Sequence, residues 1–222
     1  MSRLALDVDQ QLEPSRHTRS PLTFAAVLRR TLGERAWSNL DPQIAARFAP
    51  TIRPKNPLRF VGDMDWVYCS PLGALIAWLL RRAALVPERR ARKVPFEFRV
   101  GVHDGQFTKE RDYHLGQHRV FRFRSVFRDT PRLQEEFRGG LGMYLQLRTQ
   151  CGALLFRDDG YFVRLGWWRM PLPGWLTIGR FELLHRSIDT ERFQVVLRVA
   201  HPVFGTLFYQ RGEFRHAKRG PR

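Results

Sequence analysis

A chain of 222 residues, 43% of them hydrophobic and six of them Trp, can bury a core, which excludes bulk disorder. The formal net charge of +17 and a pI near 11.3 point first to nucleic acid or an anionic membrane. Arginine carries nearly all of that charge, because Lys55, Lys93, Lys109 and Lys218 are the only lysines; such skew is as easily a coding bias as a binding device.

Residues 1–20 are mixed and polar and read as a flexible tail, followed by a single β-rich domain over 21–214 and a basic tail over 215–222. Asp7, Asp9 and Glu13 interrupt any apolar run at the start, so no signal peptide is expected. A helical pattern over 22–32 (Phe24, Val27, Leu28, Leu32) stops at Gly33. Asp41 caps a second short helix, with Pro42 in its first position and Ile44 and Phe48 on its inner face. Pro50, Pro54 and Pro57 then force an extended connector. A first strand over 58–68 precedes Ser70-Pro71, the cap and first residue of the most apolar helix, expected over 71–84. Leu72, Leu75, Ile76, Leu79, Leu80 and Ala83 line one side of it, so burial against the sheet or across a barrel mouth is expected. Its apolar run, 72–80, is too short to span a membrane. The basic run Arg81, Arg82, Arg89, Arg90, Arg92 and Lys93 follows.

Short runs of period two then succeed one another. Phe96, Phe98, Val100 and Val102 alternate with Glu97, Arg99 and Gly101; Phe121, Phe123, Ser125 and Phe127 alternate with Arg122, Arg124 and Val126. Val195, Leu197 and Val199 repeat the pattern. Period two places one set on each face of a sheet. Strands are expected over 94–103, 106–113, 118–127, 133–137, 141–150, 153–157, 161–169, 180–186, 192–201 and 206–214. Asp104-Gly105 and Asp159-Gly160 are the strongest hairpin signals. The fold class is β-rich α+β: a large curved antiparallel sheet or partly open barrel packed on an apolar helix, with short N-terminal helices. A sheet of about eight to ten strands must curl or close.

No catalytic motif sits on this frame. Gly139-Gly140-Leu141-Gly142 has a strand pattern after it instead of a helix, so a sharp bend is expected and not a phosphate loop. His114 and His118 flank a turn, which leaves no metal site. Glu110, Asp112, Glu135 and Glu136 face arginines on neighbouring strands, and a cross-strand charge ladder accounts for them. Cys69 and Cys151 are distant, which reads as buried thiols in a reducing compartment or one bridge. The Trp-rich segment 167–176 around Pro171 and Pro173 is expected to be a core plug, the lip of a cavity or a membrane-touching edge.

The order of motifs resembles the bacterial family filed as domain of unknown function 4166, found alone or fused behind saccharopine-dehydrogenase-like reductase domains. The resemblance rests on the apolar helix after Ser70-Pro71, Val94-Pro95, Arg111-Asp112-Tyr113, Gly116 and Ser125. Glu136, Gly139, Pro171-Leu172-Pro173, Arg192-Phe193, Pro202, Gly205 and Gly212 continue it. The chain departs from the family pattern at Lys109, where a Trp is usual. The resemblance implies a fold and a reductase-like partner, not a reaction.

A binding module for an apolar or lipid-like small molecule is the leading expectation, with ligand-binding residues Phe98, Phe121, Phe123, Arg111, Glu136, Trp168, Trp175 and His185. The alternatives are an enzyme or accessory domain acting on such a ligand, and a basic adaptor for anionic membrane or nucleic acid. Peripheral membrane contact fits the basic run, whereas nucleic acid is not expected, since the aromatics fall on the face opposite Arg122 and Arg124. No cofactor, no metal and a cytoplasmic location are expected. The deciding observation is whether the sheet encloses a void of several hundred Å3, the size of ligand pockets.

Overall fold

Alternation of apolar and polar residues over eleven strands has a consequence that a flat sheet cannot meet: every edge must be paired or covered. The computed structural model, which describes residues 23–53, 56–79, 90–116, 120–129 and 132–217, meets it by closure. The strands are β1 (Leu58–Cys69), β2 (Ala91–His103), β3 (Gln106–His114), β4 (Val120–Arg128), β5 (Gln134–Phe137) and β6 (Leu141–Gln150). β7 (Ala153–Leu165), β8 (Trp168–Leu172), β9 (Arg180–Ser187), β10 (Arg192–His201) and β11 (Gly205–His216) complete the set. Their order is β6-β5-β4-β3-β2-β1-β11-β10-β9-β7, and β7 pairs back onto β6, so ten antiparallel strands form a closed barrel with β8 as an extra strand on β7. The expected partly open sheet is thus closed.

β7 makes closure possible because it is one long strand. Its Leu154–Arg157 stretch pairs with β9, its Tyr161–Leu165 stretch pairs with β8, and β6 runs along its other edge. The expected hairpin at Asp159-Gly160 is therefore wrong. Gly160 has φ +100° but sits inside the strand, next to the register shift between Met143 and Leu145 of β6. The true reversal is at Gly166-Trp167, between β7 and β8. The turn at Asp104-Gly105 is as expected, and Cys151-Gly152 makes the turn between β6 and β7, all four residues having positive φ. Gly139 and Gly140, both near φ +85°, make the tight β5–β6 turn in place of a phosphate loop. β11 runs to His216, two residues into the expected basic tail.

Strand ends sort into two rims. One rim is capped by α1 (Phe24–Leu32), α2 (Glu34–Ser38) and α3 (Pro42–Phe48). Thr23 caps α1, and the Asp41 carboxylate accepts from the Gln43 amide at 2.8 Å to cap α3. Phe24 drives its ring edge onto Phe107 and Phe127, and Phe48 meets Phe60 and His185, so these helices cork the barrel. The short α2 was not visible as a separate pattern.

The other rim carries the ends of β1 and β10, the β7–β8 tip and α4 (Pro71–Leu79). The Ser70 hydroxyl accepts from the Gly73 amide at 2.9 Å, so the capping expectation holds. The burial expectation does not. Gly73 and Ala77 face the barrel, while Leu75 and Leu79 are exposed, Leu79 at 64%. A Cβ on Gly73 would stand 2.6 Å from the Leu207 carbonyl oxygen, so the helix lies close against β11, with Leu72 and Ile76 half-buried against the core and Leu75, Trp78 and Leu79 pointing outward. Residues 80–84 of the expected helix, and Arg81, Arg82 and Arg89 of the basic run, lie outside the described residues.

On the outer wall, Glu97, Glu110 and Asp112 pair across strands with Arg59, Arg99, Arg122 and Arg124, the expected ladder. No helix among the described residues is long and apolar enough to cross a membrane. Cys69 is buried, Cys151 is exposed, and no disulfide joins them.

Candidate functional site: a charged cluster inside the barrel

The inner wall alternates with the charged outer wall, so its polar residues must be explained one by one. On β3, Phe107, Lys109, Arg111 and Tyr113 point inward while Glu110 and Asp112 point outward. On β5, Glu135, 1% exposed, and Phe137 face inward. Three groups donate to the Glu135 carboxylate: the Ser125 hydroxyl at 2.6 Å, the Arg111 guanidinium at 3.0 Å and the Lys109 ammonium at 3.3 Å. Lys109 also lies 4.5 Å over the Phe127 ring and Arg111 4.3 Å over Phe123. Beside them the buried Tyr113 hydroxyl donates to the Gln210 side-chain oxygen at 2.8 Å.

Burial lowers the Lys109 pKa from 10.5 to about 7, with the Arg111 charge adding to the fall and Glu135 opposing it. Burial works the other way on Glu135, but the Lys109 and Arg111 charges outweigh it and hold the carboxyl below its ordinary value. His185 is also inside, stacked on Phe193 at 4.5 Å. Its Nε2 lies 3.0 Å from an Arg47 nitrogen; arginine only donates, so Nε2 accepts and the ring proton sits on Nδ1. Burial, then the Arg47 charge, pulls the His185 pKa down to about 3, so the ring is neutral. Arg47, buried under α3, also donates to the Ser187 hydroxyl and covers the Phe193 face.

The inner wall beside the cavity therefore sets Lys109 and Arg111 against one carboxylate, Glu135. An apolar cavity of about 80 Å3, walled by phenylalanines including Phe96, Phe98, Phe156 and Phe214, opens onto Lys109, Arg111, Tyr113, Glu135, His185 and Gln210. A second cavity of about 40 Å3 lies under Ile76 and Ala77 of α4 and shares Arg111, Phe181 and Leu197 with the first. Tyr161 lines it, and the Tyr161 hydroxyl has no hydrogen-bond partner among the described residues. Burial, then the charge of Asp158, pushes that hydroxyl well above its ordinary pKa, so it stays a donor.

The family model described as Domain of unknown function (DUF4166) matches residues 40–214. The chain belongs to this family. No curated protein matches it. The span of the DUF4166 match contains the whole interior cluster, Arg47 to Gln210.

Among the residues expected from sequence, the DUF4166 barrel brings Arg111, His185 and Phe98 to the larger cavity and Phe123 to the smaller one. Phe121 is on the inner wall, 6.0 Å from Tyr113. Glu136 is on the outside, where Arg128, Arg164 and Arg169 surround it. Trp168 and Trp175 are exposed, Trp175 at 77%, so the Trp-rich turn is not a core plug. Glu135, expected in the outer charge ladder, points inward instead, because β5 pairs it opposite the inward Phe127; Lys109, Tyr161 and Gln210 were not among the expected site residues. Period two could have found Lys109, since Phe107, Lys109, Arg111 and Tyr113 share one face. Among the described residues no His, Cys, Asp and Glu group could hold a metal ion.

Proposed function

We propose that the barrel is a binding module for a small, largely apolar molecule that carries one acidic group. Its apolar body rests on the phenylalanine wall, and its carboxylate meets Arg111, which faces both cavities. The observation that supports this reading most is the interior charge balance. Two basic groups, Lys109 and Arg111, face one carboxylate, Glu135, in a site walled by aromatic rings, where an uncompensated charge is costly; the lowered Lys109 pKa reduces this surplus, and a bound acid would favour the charged ammonium. A bound carboxylate offsets the surplus, and Tyr161, which lines the smaller cavity together with Arg111, carries a donor that has no partner among the described residues.

Size restricts the ligand. A cavity of about 80 Å3 is well above the ~10–15 Å3 one water needs and well below the ~300–1,000 Å3 of most ligand pockets. A sterol or long-chain fatty acid does not fit unless side chains move, whereas a short-chain or single-ring acid comes closer. The test is thermal stabilisation, in lipid-free solution, by benzoate and by C4–C8 carboxylates, each against the alcohol of the same skeleton. Acids should stabilise saturably and alcohols should not, and Arg111→Met should erase the difference. A flat response to every acid, together with native mass spectra of an unliganded protein, would reject the proposal.

A further inference from the structure

The rim opposite the helical cork has a surface that the interior does not explain. All of the large apolar side chains left exposed among the described residues, apart from Trp66 and Ile188, belong to it. Leu79 of α4, Leu165, Trp167 and Trp168 of the β7–β8 tip, Trp175 of the following turn and Phe204 of the β10–β11 turn are all more than half exposed. Trp167 and Trp168 meet edge to face at 5.1 Å, and Pro171 and Pro173 stiffen the segment that leads to Trp175. Soluble surfaces seldom leave so many large apolar side chains together without a partner.

Charge decides which partner. Between Gly160 and Phe181 the chain has Arg164, Arg169 and Arg180 and no Asp or Glu, and α4 and the 201–205 turn carry no carboxylate. Arg138 and Arg180 are exposed at the same rim, and Arg90 lies 4.8 Å over the Tyr68 ring near the end of β1. Glu136, which pairs with Arg164 and Arg169 of the Trp hairpin, is already surrounded by three arginines. A second copy presenting the same surface would set arginine against arginine, in a chain of net charge +17.

We propose that this rim docks on an anionic lipid bilayer, with the tryptophans and leucines entering the headgroup–acyl boundary and the arginines meeting lipid phosphates. Tryptophan suits that depth because its body is apolar and its N–H stays wet. The barrel lies on the bilayer and does not cross it: its outer wall is a ladder of charges and its inner wall is aromatic, the reverse of a lipid-spanning barrel. The proposal rests on the surface alone and stands or falls apart from the cavity reading, which is tested without lipid.

The experiment is co-sedimentation of the full chain with vesicles of phosphatidylcholine, with and without phosphatidylglycerol, while Trp emission is followed. Binding should require the anionic lipid, weaken with salt and shift emission to the blue. Trp167→Ser/Trp168→Ser/Trp175→Ser should lower binding at least tenfold with the β circular dichroism unchanged, since all three side chains are exposed. Arg138→Gln/Arg180→Gln should lower it about fivefold for each charge removed. No binding by the parent, or equal binding by the triple variant, overturns the proposal. So does self-association by light scattering that the triple variant loses while no vesicles bind, which would assign the rim to a second copy.

Discussion

Glu135 is the carboxylate on which the buried cations depend. Replacing it by Gln leaves the Lys109 and Arg111 charges side by side in an apolar interior. Breaking a buried pair this way typically costs about 3–5 kcal/mol. Urea unfolding of Glu135→Gln should show a loss of that size, while Glu136→Gln, on the outer face among partly exposed arginines, should lose much less. Equal losses would mean that Glu135 is solvated. The neighbouring glutamates also show where the sequence stops being readable. β5 is only four residues long, so its alternation is too short to fix its phase, and Glu135 and Glu136 look alike until β4 and β6 set the register. Arg111 and His185 were legible because longer strands carry them. His185 also gives a pH dependence. The unfolded imidazole takes up its proton near 6.5, the folded one only near 3. Between these values the unfolded state binds more protons, so the stability from neutral His185 is full above about pH 6.5 and is lost as pH falls, at up to about 1.4 kcal/mol per pH unit. His185→Gln keeps an acceptor for Arg47 and should flatten that slope in unfolding curves measured from pH 7 to 4; an unchanged slope would place the titrating group elsewhere.

At the scale of elements, α4 and β7 depart from their patterns for one reason: neighbours, not periodicity, chose the face. The pattern favoured the side of Leu72, Leu75, Ile76 and Leu79, but with apolar side chains almost all round α4 that preference was weak, and Leu75 and Leu79 are exposed. The backbone of β11 made the choice, because Gly73 allows the close approach and Ala77, one turn on, lies on the same face. Gly73→Ala adds a methyl against the Leu207 carbonyl and should destabilise by about 1–3 kcal/mol, as overpacking does, despite the better helix propensity of Ala. Thermal unfolding would check the sign, and a stabilised variant would show that α4 is loosely seated. β7 followed similar logic. Asp158, Asp159 and Gly160 look like a turn, yet Asp158 accepts from the Phe181 amide at 2.6 Å and the strand passes straight through. A local turn signal yielded to pairing with β6, β8 and β9. The cap at Asp41, the cap at Ser70 and the turn at Asp104-Gly105 were legible because their chemistry is local.

For the whole molecule the decisive property is closure. Period two in the sequence announced a large antiparallel sheet, but whether the two outermost strands meet depends on twist and stagger summed over all ten, which no single segment encodes. In a closed ring each strand has two neighbours, so no strand can leave without breaking two ladders. β8 alone stands outside the ring and has one neighbour, β7. It also carries the exposed Trp168 and Met170 and adds little to the core. Native-state hydrogen exchange should divide the amides accordingly. Those of 168–172 should exchange through local opening within minutes, and those in the middle of β1, β3, β10 and β11 only with global unfolding. The informative region is the seam, the pairing of Leu141–Gln150 with Ala153–Leu165 and of Leu154–Arg157 with β9. In a closed barrel the seam amides belong with the slow set. If they exchange as fast as β8, the ring opens at β7 in solution and the cavity is reached through the wall.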